Sequence, residues 1–333
     1  MLRTLFLALF LVFSSTGFAG QDTSILIEAQ QIAQSGQESM TQSIEFSRQG
    51  DMQSAQRLYE ETQQKFLQVK ALCSSVDPEG FDTAETAMLY ATTMEMSQQH
   101  DFAARGFERA YRLSSADLEA GLSAAIHWRK VGLLMRAFHL LEEIRETENL
   151  DPEFSSRLHT ELGRVHHEQG LYSLAAKMYE VSTESGHPTP EATIGSAVLA
   201  VRRGELEVAA DILDTLRELN VDQGQFLNKS LAESLTTFDD LRIPVNGQHR
   251  AYARLLVRSQ RNHDAMLAAE HAVMRDDSDF SMFNLLGGLL AQQQHYDRSI
   301  RAYETSLALK PDQERTKTVL EQVRALQQES TPQ

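Results

Sequence analysis

The chain has 333 residues, 41% of them hydrophobic and 7% aromatic, with 17 glycines and 7 prolines. It is too rich in apolar residues for disorder, and so few turn formers and aromatics suit an all-helical protein able to bury a long core. A formal net charge of −16 repels nucleic acid and anionic membranes, which argues against DNA or RNA as a partner.

The first twenty residues read MLRTLFLALFLVFSSTGFAG. Arg3 supplies a positive start, Leu5 to Phe13 an apolar run, and Gly17 and Ala19 the small residues a signal peptidase accepts, so 1–19 reads as a signal peptide cut after Ala19. The run is shorter than the roughly 20 residues that span a bilayer, so no stable membrane insertion of the mature chain is expected. No cysteine follows at a lipoprotein position, and the expected place is the periplasm if the source is a Gram-negative bacterium.

Residues 20–83 carry N-terminal helices with a degenerate repeat: a turn at Gly50-Asp51, then Ala55, Tyr59 and Phe66 on one side of a second helix. Cys73, the only cysteine, excludes an internal disulfide and reads as a buried, inert thiol, with intermolecular pairing as the alternative. From Ala84 a 34-residue register sets in. Tyr90-Ala91, Met94, Ala103, Phe107 and Ala110 recur as Ala124-Ala125, Trp128, Ala137, Leu141 and Ile144, and again as Leu162-Gly163, Ala175, Tyr179 and Ser182. The copies run over 84–117, 118–151, 156–189 and 190–223, with a four-residue insertion before the third. Asp151-Pro152 and Thr189-Pro190 supply caps and first-turn prolines.

The period fails over 224–245, where Phe226, Leu227, Leu231, Leu235 and Phe238 predict an amphipathic insert helix. It reads as a packing insert that alters curvature, or else as a ligand-gripping element. Two further copies fill 246–313, and 314–333 forms a capping helix and tail with Val319, Leu320, Val323 and Leu326 on its apolar side.

The last copy, FSMFNLLGGLLAQQQHYDRSIRAYETSLALKPDQ over 280–313, has Phe283, Leu286, Gly287, Leu290, Ser299, Tyr303, Ser306 and Pro311 at the spacing of a tetratricopeptide repeat. The chain resembles that family. The resemblance implies a right-handed α-solenoid of stacked helix-turn-helix hairpins, because one hairpin cannot bury its own apolar faces.

In that family the second, fifth, ninth, twelfth and thirteenth residues of each hairpin's first helix line a concave groove. Carried over to the copies starting at Leu118, Ser156, Pro190 and Asn246, this places Arg129, Lys130, Arg157, Arg164, Arg202, Arg250, Arg254 and Arg258 there, against Glu119, Glu168 and Glu191. The copy at Ala84 contributes Glu85, Met88, Glu95 and Met96. Arg250, Arg254 and Arg258 stand four apart on one stripe, where like charges repel unless an anion sits between them. Such a groove suits an acidic peptide, a C-terminal carboxylate or an anionic glycan; the other reading is that these arginines pair with neighbouring acids or are solvated.

Catalytic signatures are not found: there is no nucleophile elbow, phosphate loop or zinc-protease motif. His159, His166 and His167 share one helix but read as packing residues, and His100 and His295 as surface turn residues. Neither metal nor cofactor is expected. Asn228-Lys229-Ser230 matches a glycosylation acceptor. The expected function is an exported, non-catalytic scaffold or adaptor that binds a partner protein or peptide, with an accessory subunit for an anionic polysaccharide as the alternative.

Overall fold

The computed structural model describes residues 21–218, 231–237, 239, 245 and 247–330. The signal segment 1–19, most of the 224–245 insert, Asn228 to Ser230 and Asn246 lie outside the described residues. Among the described residues the regular structure is helical, with no strand. The chain divides into two compact units after Asp151.

The first unit contains α1 (Gln21–Arg48), α2 (Met52–Cys73), a short 3₁₀ turn (Pro78–Gly80), α3 (Ala84–Met96), α4 (His100–Leu113), α5 (Leu118–Lys130) and α6 (Leu134–Arg145). The second contains α7 (Pro152–Glu168), α8 (Tyr172–Glu184), α9 (Pro190–Arg202), α10 (Leu206–Glu218), α11 (His249–Arg258), α12 (Asn262–Arg275), α13 (Phe280–Gln292), α14 (Tyr296–Leu309) and α15 (Glu314–Ser330). Residues 231–237 add a helical stretch between α10 and α11.

One turn closes every hairpin. Gly50, Gln98, Gly132, Gly170, Gly204, Gln260 and Gln294 all have positive φ, between 59° and 85°. The residue after each donates its N–H five residues back, for example Leu133 to the Trp128 carbonyl and His295 to the Leu290 carbonyl, both at 2.9 Å. This is the αL helix ending that satisfies otherwise orphaned carbonyls. The turn returns after 34 residues from Gln98 to Gly132, from Gly170 to Gly204 and from Gln260 to Gln294, and after 38 from Gly132 to Gly170. The longer interval holds the four-residue insertion. At the other helix ends, side chains cap: Asp117 accepts from the Ala120 N–H and Thr189 from the Ala192 N–H, each at 3.1 Å.

In the first unit α1 packs along α2, α3 along α4 and α5 along α6, while α1 also meets α3 and α4 meets α5. The second unit repeats this arrangement, each second helix lying against the next first helix and α15 closing on α14. These contacts bury Tyr90, Met94, Trp128, Leu141, Leu162 and Tyr179 to 2% exposure or less. Each such side chain contributes about 1.5–3 kcal/mol relative to an exposed one, a gain an isolated hairpin would forgo. Tyr303, Leu320 and Val323 form a small core under α15, while Leu326 is exposed. Two expectations fail in α2 and α13: Tyr59 is 46% exposed and Phe283 only half-buried. α2 packs chiefly on α1, and Tyr59 lies on its solvent-facing flank.

Candidate functional site

The eight cationic residues singled out from the sequence fall on first helices: Arg129 and Lys130 on α5, Arg157 and Arg164 on α7, Arg202 on α9, and Arg250, Arg254 and Arg258 on α11. In the first unit Lys130 is exposed, but Arg129 is 7% exposed and presents little charge to solvent. In the second unit the geometry is more informative. Arg254 and Arg258 both pair with Asp214 of α10, Arg258 through NH2 to Oδ1 at 2.9 Å, and Arg254 also stands 3.8 Å from Asp211. Arg250, 60% exposed, reaches Asp279 at 3.3 Å. The anion that a run of arginines requires is therefore built in, supplied by the preceding second helix.

The other arginines pack as well as pair. Arg164 donates to Glu161 at 3.0 Å, Arg202 stacks over the Tyr172 ring at 4.1 Å, and Arg157 lies 5.8 Å from the Phe154 ring. Tyr172 in turn meets His167 edge-on at 5.5 Å. Burial, and then the Arg202 charge, hold His167 below its ordinary pKa. His159 is tied to the Ser155 carbonyl at 2.7 Å through Nδ1, and His166 is buried. Among the described residues no group of three or more His, Cys, Asp or Glu side chains could hold a metal.

Small residues and aromatics lock the hairpins at matching places. Gly163 of α7 faces the Tyr179 ring of α8, and Gly287 of α13 faces the Tyr303 ring of α14; a Cβ on either glycine would come within 2.5 Å and 3.0 Å of the ring. Ser299 and Ser306, both fully buried, donate to the Gly287 carbonyl at 2.7 Å and the Phe280 carbonyl at 2.9 Å. Glycine, serine and aromatic thus occupy the same register as the 34-residue turn. The hairpins have the helix-turn-helix architecture of tetratricopeptide repeats.

No protein-family model matches the chain, and no curated protein matches it. Solved structures similar to it include a tetratricopeptide repeat protein from Parabacteroides merdae, at 15% identity and TM-score 0.39 over 87% of this chain and 99% of that one. Pilf of Pseudomonas aeruginosa matches at 14% identity and TM-score 0.40 over 69% and 97%. YrrB, a tetratricopeptide repeat protein with an unusual peptide-binding site, matches at 16% identity and TM-score 0.35 over 65% and 98%. Likenesses this distant accompany the repeat geometry without adding weight to it.

Within the tetratricopeptide register one part of the second unit's first-helix face is already occupied. The fifth, ninth and twelfth residues of the Pro190 hairpin, Ile194, Val198 and Val201, are buried in one cluster with Leu231 and Leu235. Ser234 donates to the Val198 carbonyl at 3.1 Å, and Asp239 accepts from the Tyr252 hydroxyl at 2.6 Å and from Arg261 at 2.8 Å. The described part of the insert is thus packed against α9. On the opposite flank of α9, Thr193, Ser196, Leu199 and Arg203 line an open cleft of about 610 Å³ together with Glu180 and Thr183 of α8.

The sequence reading missed a buried contact in the first unit. His100 is not a plain surface residue: it is half-buried, and its Nδ1 lies 3.1 Å from Nδ1 of His127. The apolar setting of His127, between Ile126 and Trp128 on a core helix, was the available signal.

Proposed function

We propose that the chain is an exported, non-catalytic scaffold whose tetratricopeptide hairpins bind an acidic segment of a partner protein on the first-helix face of the second unit. The observation that carries this reading is the seat of Asp214 between Arg254 and Arg258. A carboxylate on a half-exposed side chain already occupies the place a partner's Asp or Glu would take, and the planar guanidinium fork suits it. Binding is an exchange of one carboxylate for another, so the arginines stay paired in the free protein and the partner supplies further contacts along α7 and α11.

The exchange predicts opposite effects from the two sides of the pair. Asp214→Asn removes the internal competitor and should tighten binding of an acidic peptide, about tenfold. Arg254→Glu with Arg258→Glu should weaken it at least tenfold in fluorescence anisotropy at constant ionic strength. If Asp214→Asn weakens binding as the arginine variants do, the exchange is wrong. A glycan partner would show instead as binding of polyanions of any backbone, with a steep salt dependence. Export rests on residues 1–19, and N-terminal sequencing of the mature protein should find Gly20 first.

A further inference from the structure

Three side chains meet in a line in the first unit, one of them, Glu95, from the first-helix positions of the copy at Ala84. His127 of α5 is 1% exposed and lies flat on Phe107 of α4, with ring centroids 5.5 Å apart and planes 7° from parallel. Its Nε2 is 3.2 Å from Oε1 of Glu95 at the end of α3, and its Nδ1 is 3.1 Å from Nδ1 of His100, the first residue of α4. Two ring nitrogens are too few ligands for a structural metal site, so the arrangement is one of protons.

Their number is set by the geometry. The hydrogen bond from His127 holds the Glu95 carboxyl below the usual carboxylate range, so Glu95 accepts and His127 Nε2 carries a hydrogen. The line between the two Nδ1 atoms then has room for one hydrogen. With His127 donating from Nε2, the neutral pair keeps that hydrogen on His100, so an acid proton goes to His100 Nε2 and sets a cation in the half-buried contact. We infer that Glu95, His127 and His100 form a pH-sensitive latch joining α3, α4 and α5, held while His100 is neutral and weakened when acid charges His100 in its half-buried place against His127.

The surrounding charges favour such behaviour. Burial first, then Lys130 of α5 and His127, resist a proton on His100, while Glu95 of α3 and Asp101 of α4 oppose them less strongly. From α6, Arg136 and Glu143 turn to Glu108 and Arg112 instead. His100 therefore has a folded pKa below the unfolded value of about 6.5. The unfolded chain binds more protons just below that pH, so the stabilisation is present above about pH 6.5 and is lost as the pH falls towards the folded value. What opens is the end of α3 that carries Glu95 and Met96.

The single tryptophan, Trp128, adjoins the latch and reports on it. Denaturant unfolding of the full chain, followed by its fluorescence from pH 7.5 to 5.5, should be compared with that of His100→Asn, whose amide keeps a donor but does not titrate. Below pH 6.5 the wild-type unfolding constant should climb more steeply than the variant's, by up to about tenfold per pH unit. Parallel profiles would overturn the latch. If His100→Asn does not fold, side-chain ¹⁵N spectra of the wild type decide: the His100 ring should titrate below pH 6.5, and titration at or above that value would overturn it.

Discussion

The Tyr179 ring of α8 fills the space that Gly163 of α7 leaves open, so a Cβ on that glycine would stand 2.5 Å from Cε1 of the ring. Tyr179 is 2% exposed and has no room to withdraw. Replacing Gly163 by Ala should gain about 1 kcal/mol in helix propensity but cost about 1–3 kcal/mol in overpacking, and the cost should win. Gly288, itself half-buried, is the contrast, because the nearest atom to its added Cβ is the Tyr303 hydroxyl oxygen at 3.3 Å, the far end of that side chain. Gly288→Ala should be neutral or stabilising. Thermal melts of the two variants should move apart, and a fall for both would show that neither Gly163 of α7 nor Gly288 of α13 leaves room for a methyl.

Leu235 is fully buried in the cluster that joins 231–237 to α9. Leu235→Ala should cost about 2–5 kcal/mol, as cavity-forming core changes do. A change within about 0.5 kcal/mol, the range of surface substitutions, would mean that this stretch does not hold the second unit together.

Cys73 lies at the end of α2, 2% exposed, where burial pushes its thiol up to about 11. Because the thiolate is the reactive form, iodoacetamide at pH 8 should leave the native chain unmodified and label it fully in denaturant. Rapid native labelling, read by intact mass, would show that the end of α2 opens.

Gln98, Gln260 and Gln294 adopt the left-handed conformation that Gly132, Gly170 and Gly204 adopt in the same turn. That region costs a residue with a Cβ about 1–2 kcal/mol. Gln98→Gly should therefore stabilise the first unit by a fraction of that amount, once the added freedom of glycine in the unfolded chain is set against it. Gly132→Ala, with φ of 82°, should lower the first unit's melting temperature.

The hairpins were legible because their rule is local: Gly287, Ser299, Tyr303 and Ser306 must be small or aromatic whatever the rest of the chain does. What escaped was set by side chains distant in sequence. His100 stands beside a turn and reads as solvated until His127, on the next hairpin, is brought against it. The arginine stripe of α11 leaves open both a ligand groove and pairing with neighbouring acids, because Asp214 stands 40 residues before Arg254 and only the packing of α10 against α11 joins them. Tyr59 misled for the converse reason, its pattern being that of a core residue while its side chain is 46% exposed.

The recurrent left-handed turn leaves every hairpin closed by atoms only five positions apart along the backbone. Each pair of helices can therefore form as soon as its own stretch of polypeptide is available, and the next can grow against it. A polypeptide delivered one end first would begin to assemble its interior before its last residues arrived, with only the newest hairpin's apolar face left open at each stage.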